Sequence, residues 1–304
     1  MQSTQNFKTL ISHLQSQNCR KKVALVCPND SHTEYVINRA LEEGIADFLL
    51  VTGGERAAFI DELSEKYPGH ITVVEAETPD DAAATAVKIV RDGKADVLMK
   101  GTINTDNLLR QVLNKEYGLL EKGKVMTHVT VTKIPTYDKF IAFSDAAVIP
   151  RPTEEQFDAV LGYVVEVTRR LGVERPRVAL IHCTEKVSEK FPHTLSYEKL
   201  MENAKNGKYG PVDVDGPMDV KTACDAESGK IKGIASPVVG NADALIFPNI
   251  ESGNVFYKTI TLFAGAETAG MLYGTTAPIV VASRADSGES KFYSLALACL
   301  SHKG

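Results

Sequence analysis

Short apolar runs alternate with amphipathic stretches along most of the chain. Residues 23–27, 47–51 and 96–99 have the character of buried strands, and small polar turns follow them. Between these runs, residues 78–92 carry Thr-Pro at the start and Gly93 behind the end, which indicates a helix. Strands that alternate with helices in this way predict βαβ units and a mainly parallel sheet.

The alternation changes between residues 125 and 149. Two strand-like runs, residues 124–133 and 139–143, follow each other without a helix, so we predict an antiparallel pair there. Residues 153–156, Thr-Glu-Glu-Gln, have the spacing of a capping box, so a helix is expected to begin there. Further on we predict the following elements: a strand at 242–247, a helix at 251–273, a strand at 278–283 and a helix at 287–300.

The length of 304 residues suits two α/β domains or one large one. Pro150-Arg151-Pro152 is a hinge-like break, so the boundary is placed there. Periodicity leaves open whether the last strand and helix return to the first domain; we assign them there. The predicted domains are therefore 1–148 with 276–304, and 149–275.

Composition narrows the class of protein. The hydrophobic share is 43%, the charged share 24% and the net charge −5, which suits a packed globular protein without an electrostatic footprint for nucleic acid. No run is long enough for a signal peptide or a membrane span. The five cysteines include no C-x-x-C pair, and the seven histidines have no metal-ligand spacing. We expect a cytoplasmic protein that binds neither metal, membrane nor nucleic acid.

One candidate site follows the strand at residues 96–99. Ligands of open parallel sheets bind beyond the carboxyl ends of strands, where Gly101 permits close backbone approach and the next helix offers unpaired N–H groups. In a purely structural reading Thr105 caps the helix, Lys100 is solvated and Arg110 is a surface residue, and the turn alone favours that reading. The candidate anion-binding side chains are Lys100, Thr102, Asn104, Thr105 and Arg110.

A second candidate site follows the last strand. Ser283 offers a hydroxyl, and Arg284 can clamp a phosphate or a developing oxyanion with two N–H groups. Asp286 and Glu289 have capping-box spacing, so an N-cap role for Asp286 is about as well supported as a catalytic one. An arginine directly at a strand's carboxyl end is harder to explain as ordinary surface.

Several segments together resemble the phosphate acetyltransferase/phosphate butyryltransferase family, with the closer match to its butyryltransferase branch. The resemblance spans roughly residues 95–300, while the N-terminal third is similar mainly in its rhythm. The motifs that carry it are Leu98–Thr105 with Leu108–Arg110, Phe143–Ala147, Val214–Pro217, Lys232–Pro237, Asn241–Asp243, Pro248–Asn254, Ala277–Ser287 and Glu289–Lys291.

The resemblance implies a two-domain, three-layer αβα fold like that of isocitrate and isopropylmalate dehydrogenases, with the active site between the domains. It implies a homodimer or higher homo-oligomer, with the dimer interface expected in the second domain. The implied reaction is acyl-CoA plus phosphate giving acyl phosphate plus CoA, with no cofactor because CoA and phosphate are substrates. The site residues that the resemblance implies are Ser283, Arg284 and Arg110. We predict Ser283 and Arg284 as catalytic, and we assign Arg110 to CoA or phosphate binding together with Lys100, Thr102, Thr105 and Ser290.

The chain departs from the acetyltransferases at one position. They carry an aspartate, the presumed base for the CoA thiol, seven residues after the serine that matches Ser283, and here that position is Ser290. Asp286 and Glu289 are the nearest carboxylates, and we favour Asp286 as the base, although no single base is required. The alternatives are acetyl-CoA as substrate or a non-catalytic module that binds acyl-CoA or acyl phosphate. A nicotinamide-dependent dehydrogenase is disfavoured, because no D-x-x-x-D pair stands at a strand end.

Overall fold

A computed structural model describes residues 4–283 and 286–302, and its contacts divide the chain into two compact units. Phe7–Met126 and the segment from Thr268 onward form one unit, called here the terminal unit. Thr127–Glu267, with the residues before Phe7, form the other, called the central unit. Each unit contributes its own strands and helices, and the described residues among the candidate site residues named above belong to the terminal unit.

The terminal unit is built on a sheet with the strand order β3-β2-β1-β4-β11-β10. The first five of these strands are parallel, and β10 runs antiparallel to β11. Its helices and strands are α1 (Phe7–Ser16), β1 (Lys21–Val26), α2 (Ser31–Glu42), β2 (Ala46–Gly53), α3 (Phe59–Lys66), β3 (Ile71–Ala76), α4 (Pro79–Arg91), β4 (Val97–Lys100), α5 (Thr105–Val112), β10 (Glu267–Tyr273), β11 (Ile279–Val280) and α11 (Gly288–Ser301).

The central unit has the strand order β5-β6-β9-β7-β8, in which only β5 and β6 are antiparallel. Its elements are β5 (Thr127–Lys133), β6 (Ile141–Ser144), α6 (Glu154–Arg170), β7 (Arg177–Ile181), α7 (His193–Lys205), β8 (Asp213–Met218), α8 (Val220–Cys224), α9 (Ala226–Lys232), β9 (Ala244–Ile246) and α10 (Ile250–Phe263). Phe143 lies at the centre of its core, where Phe247 and Phe256 meet the ring edge to face.

The predicted α/β architecture with mainly parallel strands is confirmed, and so is the antiparallel pair of β5 and β6. The division into units differs in position from the domains placed by sequence, since it falls after Met126 and after Glu267. The physical reason lies in strand pairing. β6 pairs with β9, so the segment before Pro150 joins the central sheet, and Pro150-Arg151-Pro152 only precedes α6.

Two predicted elements are corrected. The helix predicted over 251–273 ends at Phe263, because Gly265 takes a left-handed φ of 61° and the chain then enters strand β10. The last strand is limited to Ile279–Val280, because the amide of Ser283 donates to the side chain of Asp286 in a turn instead of to a neighbouring strand. The predicted last helix is confirmed as α11.

Candidate active site

Both predicted site segments follow the carboxyl ends of neighbouring strands. β4 and β11 are parallel and adjacent, with Leu98 opposite Ile279 and Met99 opposite Val280. The turn that begins at Lys100 and the segment that contains Ser283 therefore leave the terminal sheet at the same edge. This edge of an open parallel sheet is where helix N-termini and ligands meet.

Gly101 lets the β4 turn lie directly against the end of β1. Its amide donates to the carbonyl of Val26 at 2.8 Å, and a Cβ added to it would stand 2.3 Å from the carbonyl oxygen of Cys27. Thr102 continues the contact, because its amide and its hydroxyl both donate to Cys27, at 2.9 and 3.1 Å. The close approach predicted for Gly101 is thus present, and it is an approach to the neighbouring strand.

Lys100 is buried, not solvated, so the structural reading of that side chain is wrong. Its Nζ donates to the carbonyls of Gly101 at 3.0 Å and Ile103 at 2.9 Å, which holds the turn from the inside. Cys27 lies on the other side of the turn in a left-handed conformation with φ 51°. Burial raises the pKa of the Cys27 thiol to about 11, against a smaller lowering by the charge of Lys100, so this thiol is protonated at neutral pH.

Helix α5 begins one residue earlier than the structural reading of Thr105 requires. Asn104 is the N-cap and makes no side-chain capping hydrogen bond, while Thr105 is the exposed first residue of the helix. Arg110 is also exposed, and its guanidinium lies 4.0 Å from the carboxylate of Asp80. Asn107, which sequence reasoning missed, donates to the same carboxylate at 2.6 Å.

A cavity of about 510 Å³ opens beside this helix start. Its wall combines backbone from the ends of β1, β2 and β4 with amide and hydroxyl side chains, among them Asn29, Gly53, Thr102, Asn104 and Asn107. The Oδ1 atom of Asn29 is buried and has no hydrogen-bond partner in the described part of the chain. An orphaned acceptor at a cavity wall suits a ligand N–H or O–H. The sequence signal for it was only a turn after a buried strand.

The segment after β11 is closed by Asp286. Its Oδ2 accepts the amide of Ser283 at 2.8 Å, and its own amide donates to the carbonyl of Ser283 at 3.1 Å. Ser283 is exposed at the surface of this turn. Arg284, the predicted anion clamp, lies outside the described residues.

Helix α11 is capped differently from the predicted pattern. Ser287 is the N-cap and accepts the amide of Ser290 at 3.1 Å, so Asp286 and Glu289 do not form a capping box. Glu289 instead accepts hydrogen bonds from Arg39 and Tyr293. The side chain of Asp286 therefore closes the turn at Ser283 and does not cap α11.

Ser290, which stands where the acetyltransferases have aspartate, is tied to the sheet. Its hydroxyl donates to the carbonyl of Thr268 on β10 at 3.0 Å. With its proton engaged in this way, the hydroxyl can still accept a hydrogen bond, but it is not an acid–base equivalent of a carboxylate.

Motif residues of the central unit serve the scaffold. Asp145 is 2% exposed, and its carboxylate accepts from the amides of Ala147, Val148 and Ile149 at 2.7, 2.9 and 3.1 Å. Gly253 fits directly against the carbonyl of Asp145, where an added Cβ would stand 2.1 Å from the oxygen. Asp145 and Gly253 thus hold the backbone after β6 and the start of α10 together.

Within residues 4–283 and 286–302, no cluster of three or more His, Cys, Asp or Glu side chains is arranged to hold a metal ion. Across the same residues, every helix is too short or too polar to cross a membrane. All five cysteines are free thiols.

Comparison with known proteins agrees with this architecture. A family model described as "Phosphate acetyl/butaryl transferase" matches residues 54–299. The chain is 36% identical to a phosphate butyryltransferase of Clostridium acetobutylicum, over 97% of each protein. It is also 36% identical to a phosphate acetyltransferase of Thermotoga maritima, over 92% of this chain and 95% of the relative.

A solved structure gives the same result at the level of the fold. The crystal structure of a branched-chain phosphotransacylase from Enterococcus faecalis superposes with a TM-score of 0.81 and 28% identity. The superposition covers 93% of this chain and 100% of that one. With the family model matching most of the chain and both relatives nearly full length, the chain belongs to the phosphate acetyl/butyryl transferase family of acyltransferases.

Proposed function

We propose that this protein reversibly transfers a short acyl group between CoA and inorganic phosphate. The observation that carries the proposal is the pair of polar turns after β4 and β11, which leave adjacent parallel strands at one edge of the terminal sheet. Anionic substrates need donors and helix N-termini at one place, and this edge supplies both. No further cofactor enters the proposal, since CoA and phosphate are themselves the substrates.

In the proposed reaction, an oxygen of hydrogen phosphate attacks the thioester carbonyl, the carbon–sulfur bond breaks, and the CoA sulfur leaves and takes up the proton that the phosphate loses. Arg284 is assigned the developing oxyanion and the phosphate charge, and Ser283 donates to the carbonyl oxygen or the sulfur. Preorganised donors of this kind typically stabilise a transition state by about 3 kcal/mol each. Holding both substrates in one orientation supplies much of the remaining acceleration.

Asp286 is assigned the role of the base that accepts the proton of the CoA thiol when the acyl group is transferred from acyl phosphate to CoA. Its Oδ2 accepts the amide of Ser283, whereas Oδ1 makes no hydrogen bond to the described residues. One carboxylate oxygen therefore orients the group and the other is available to the thiol. A model thiol titrates near ~8.5, so a nearby base or cation is needed to raise its thiolate fraction at neutral pH.

Lys100, Thr102, Thr105, Arg110 and Ser290 are assigned to binding CoA or phosphate, in two different ways. Thr105 and Arg110 are exposed beside an uncapped helix start and can contact an anion directly. Lys100 and Thr102 hold the turn that presents those groups, through their hydrogen bonds to loop carbonyls. Ser290 can accept a hydrogen bond from a donor on the substrate while its own O–H donates to the carbonyl of Thr268.

Butyryl is the proposed acyl group, with acetyl as the second candidate. The butyryl assignment is supported by the Clostridium relative, and the acetyl candidate by the Thermotoga relative at the same identity. One or two methylenes change discrimination by only about 1–3 kcal/mol, so neither similarity decides between them.

The decisive test is release of free CoA thiol from butyryl-CoA, acetyl-CoA, propionyl-CoA and isobutyryl-CoA, with and without phosphate. We expect phosphate-dependent release with butyryl-CoA as the best substrate. A preference for acetyl-CoA would keep the reaction and change the acyl class. If CoA binds and no thioester is cleaved, the protein is a binding module, and the serine at position 290 becomes the first residue to revert to aspartate.

The protein is further proposed to act as a homodimer through the central unit, in a reducing compartment such as the cytoplasm. The support for the dimer is an apolar face on α10, where Val255, Leu262 and Phe263 are 64%, 75% and 80% exposed. An exposed patch of large apolar side chains on one helix face is typical of an association surface. The five free thiols suit a reducing compartment.

A further inference from the structure

Lys291 is a buried cation one residue beyond the predicted substrate-binding Ser290. It lies near the start of α11, and the residue is only 8% exposed. A lysine is rarely buried to this degree without a paired charge, because its ammonium loses hydration that only good acceptors replace. The contacts of its Nζ therefore decide what the residue does.

Nζ contacts a histidine nitrogen that also lies within hydrogen-bond distance of a backbone carbonyl. Nζ lies 3.4 Å from Nδ1 of His32, and the same Nδ1 lies 3.0 Å from the carbonyl oxygen of Asp286. Nδ1 carries either a proton or a lone pair. If it donates to the carbonyl of Asp286, it cannot accept from Lys291, and if it accepts from Lys291, the carbonyl of Asp286 loses its donor. The shorter contact favours donation to Asp286.

Asp30 is the nearby opposite charge, but its carboxylate already has donors. Its Oδ1 accepts the amide and the hydroxyl of Thr33, at 2.7 and 3.0 Å, which caps α2. Burial would raise the pKa of Asp30, but these hydrogen bonds and the charges of Lys291 and His32 together lower it. The opposite charges of Asp30 and Lys291 thus attract each other, while no hydrogen bond joins the two side chains among the described residues. The ammonium, which has three donors, is under-satisfied within the described residues.

The position of Lys291 joins the two parts of the candidate site. Through His32 it meets Asp286, whose side chain closes the Ser283 turn. Its charge also acts on Asp30 in the β1–α2 loop, in which the neighbouring residue Asn29 lines the cavity. An under-satisfied buried cation at this junction is placed for an anionic group that arrives with a substrate.

We propose that Lys291 binds a phosphate-group oxygen of the substrates, from inorganic phosphate or from CoA, and so completes its hydrogen bonds only in the loaded site. This inference rests on the proposed function and adds a residue that the two turns alone did not indicate. It separates Lys291 from Lys100, whose Nζ donates to two loop carbonyls.

The test replaces Lys291 by methionine, which keeps an unbranched side chain one atom shorter and removes the charge, and by arginine, which keeps the charge. Lys8→Gln on the exposed face of α1 is the matched control for loss of one lysine charge from the same unit. Michaelis constants for phosphate and for acyl-CoA are measured separately, and binding of inorganic phosphate and of CoA is measured by calorimetry without turnover. Thermal unfolding is followed on all variants.

We expect Lys291→Met to weaken the affinity for one of the two anions on the order of tenfold or more. The unfolding temperature should stay unchanged or rise, since a buried under-satisfied charge is removed. If only the Michaelis and dissociation constants for phosphate rise, Lys291 binds inorganic phosphate. If only those for acyl-CoA and CoA rise, it binds a phosphate group of CoA. Lys291→Arg should recover part of the affinity. Unchanged affinity for both anions together with a lower unfolding temperature would overturn the proposal and make Lys291 a structural partner of Asp30.

The calorimetry keeps this result separate from the activity itself. If the wild-type protein releases no CoA from any acyl-CoA, the proposed function fails, while binding of inorganic phosphate to wild type and to Lys291→Met still tests the cation. If both proteins turn over equally with equal Michaelis constants, the function stands and the role of Lys291 is wrong.

Discussion

At the scale of single residues, the end of β4 shows how a position predicted for ligand binding is first a demand of backbone packing. Gly101 has no room for a side chain because the carbonyls of Val26 and Cys27 occupy it. Lys100 is turned inward to two carbonyls of the same loop. We therefore expect a substrate to contact the residues further out, at the exposed start of α5.

Gly101→Ala is expected to destabilise the protein by about 3 kcal/mol, because the new Cβ would stand 2.3 and 2.5 Å from two backbone oxygens that cannot rotate away. Urea unfolding at neutral pH measures it. Gly162→Ala in the interior of α6 is the matched control. Its Cβ would meet only a ring carbon of Tyr209 at 3.8 Å, so helix propensity should stabilise it by roughly 0.5–1 kcal/mol. Equal effects of the two substitutions would contradict the close approach at Gly101.

At the scale of elements, the carboxylate of Asp158 on α6 binds both α7 and the loop that follows α7. Asp158 accepts hydrogen bonds from Asn203 at 3.0 Å, Lys208 at 2.7 Å and Tyr209 at 2.7 Å. Burial would raise the pKa of Asp158, but the bonds from Lys208 and Tyr209 outweigh it and lower the pKa below its usual 3.8. The ionised form is thus favoured by folding.

A carboxylate with a lowered folded-state pKa stabilises the protein above its unfolded pKa, and this contribution is lost as the pH falls through the folded value. Asp158→Asn should therefore cost about 1 kcal/mol at pH 7, a modest figure because the pair with Lys208 is partly exposed. The difference from wild type should shrink as the pH falls below 3.8. Urea unfolding across pH 3–7 measures it, with exposed Asp138→Asn as a control for the loss of one carboxylate. A difference that stays constant with pH would refute the role of the charge.

Local signals predicted those elements whose ends are set by local chemistry. The capping box at Thr153 and Gln156 starts α6 as expected, and Pro79 behind the N-cap Thr78 starts α4. The same reasoning ran a helix through residues 264–273, because Glu267–Tyr273 shows no clear strand alternation. That segment is a strand because it pairs with the neighbouring strand β11, with Leu272 opposite Ile279, and the pairing outweighs the local propensity of the segment.

The candidate site shows the same limit. The Ser283 and Lys100 turns were predicted from their chemistry, and the pairing of β4 with β11 brings both to one edge. Asn29 and Lys291 were not assigned a role, because an orphaned amide oxygen and an under-satisfied ammonium are visible only once neighbours from other elements are known. Burial, not residue type, is what distinguishes them from other polar side chains in turns and helices.

At the scale of the whole molecule, the central unit has an unpartnered face that its own core does not need. Helix α10 packs through Ile260 and Phe256 into that core, while Leu262 and Phe263 point away from it. When a second copy covers two adjacent large apolar side chains at the end of a helix, the burial of their surface stabilises the complex by about 25 cal/mol per Å². The homodimer proposed above is expected to use this face.

The double substitution Leu262→Glu with Phe263→Glu should convert a wild-type dimer into a monomer, because it places two carboxylates, and four across a symmetric interface, where apolar contact is expected. Sedimentation velocity at micromolar concentration measures the change, and far-ultraviolet circular dichroism checks that the fold is kept. Leu195→Glu, which changes an apolar residue 40% exposed on α7, is the control and should remain dimeric. A double variant that stays dimeric, or a control that dissociates instead, would move the interface away from α10. A wild-type protein that sediments as a monomer would remove the dimer from the proposal and leave the α10 face to another partner.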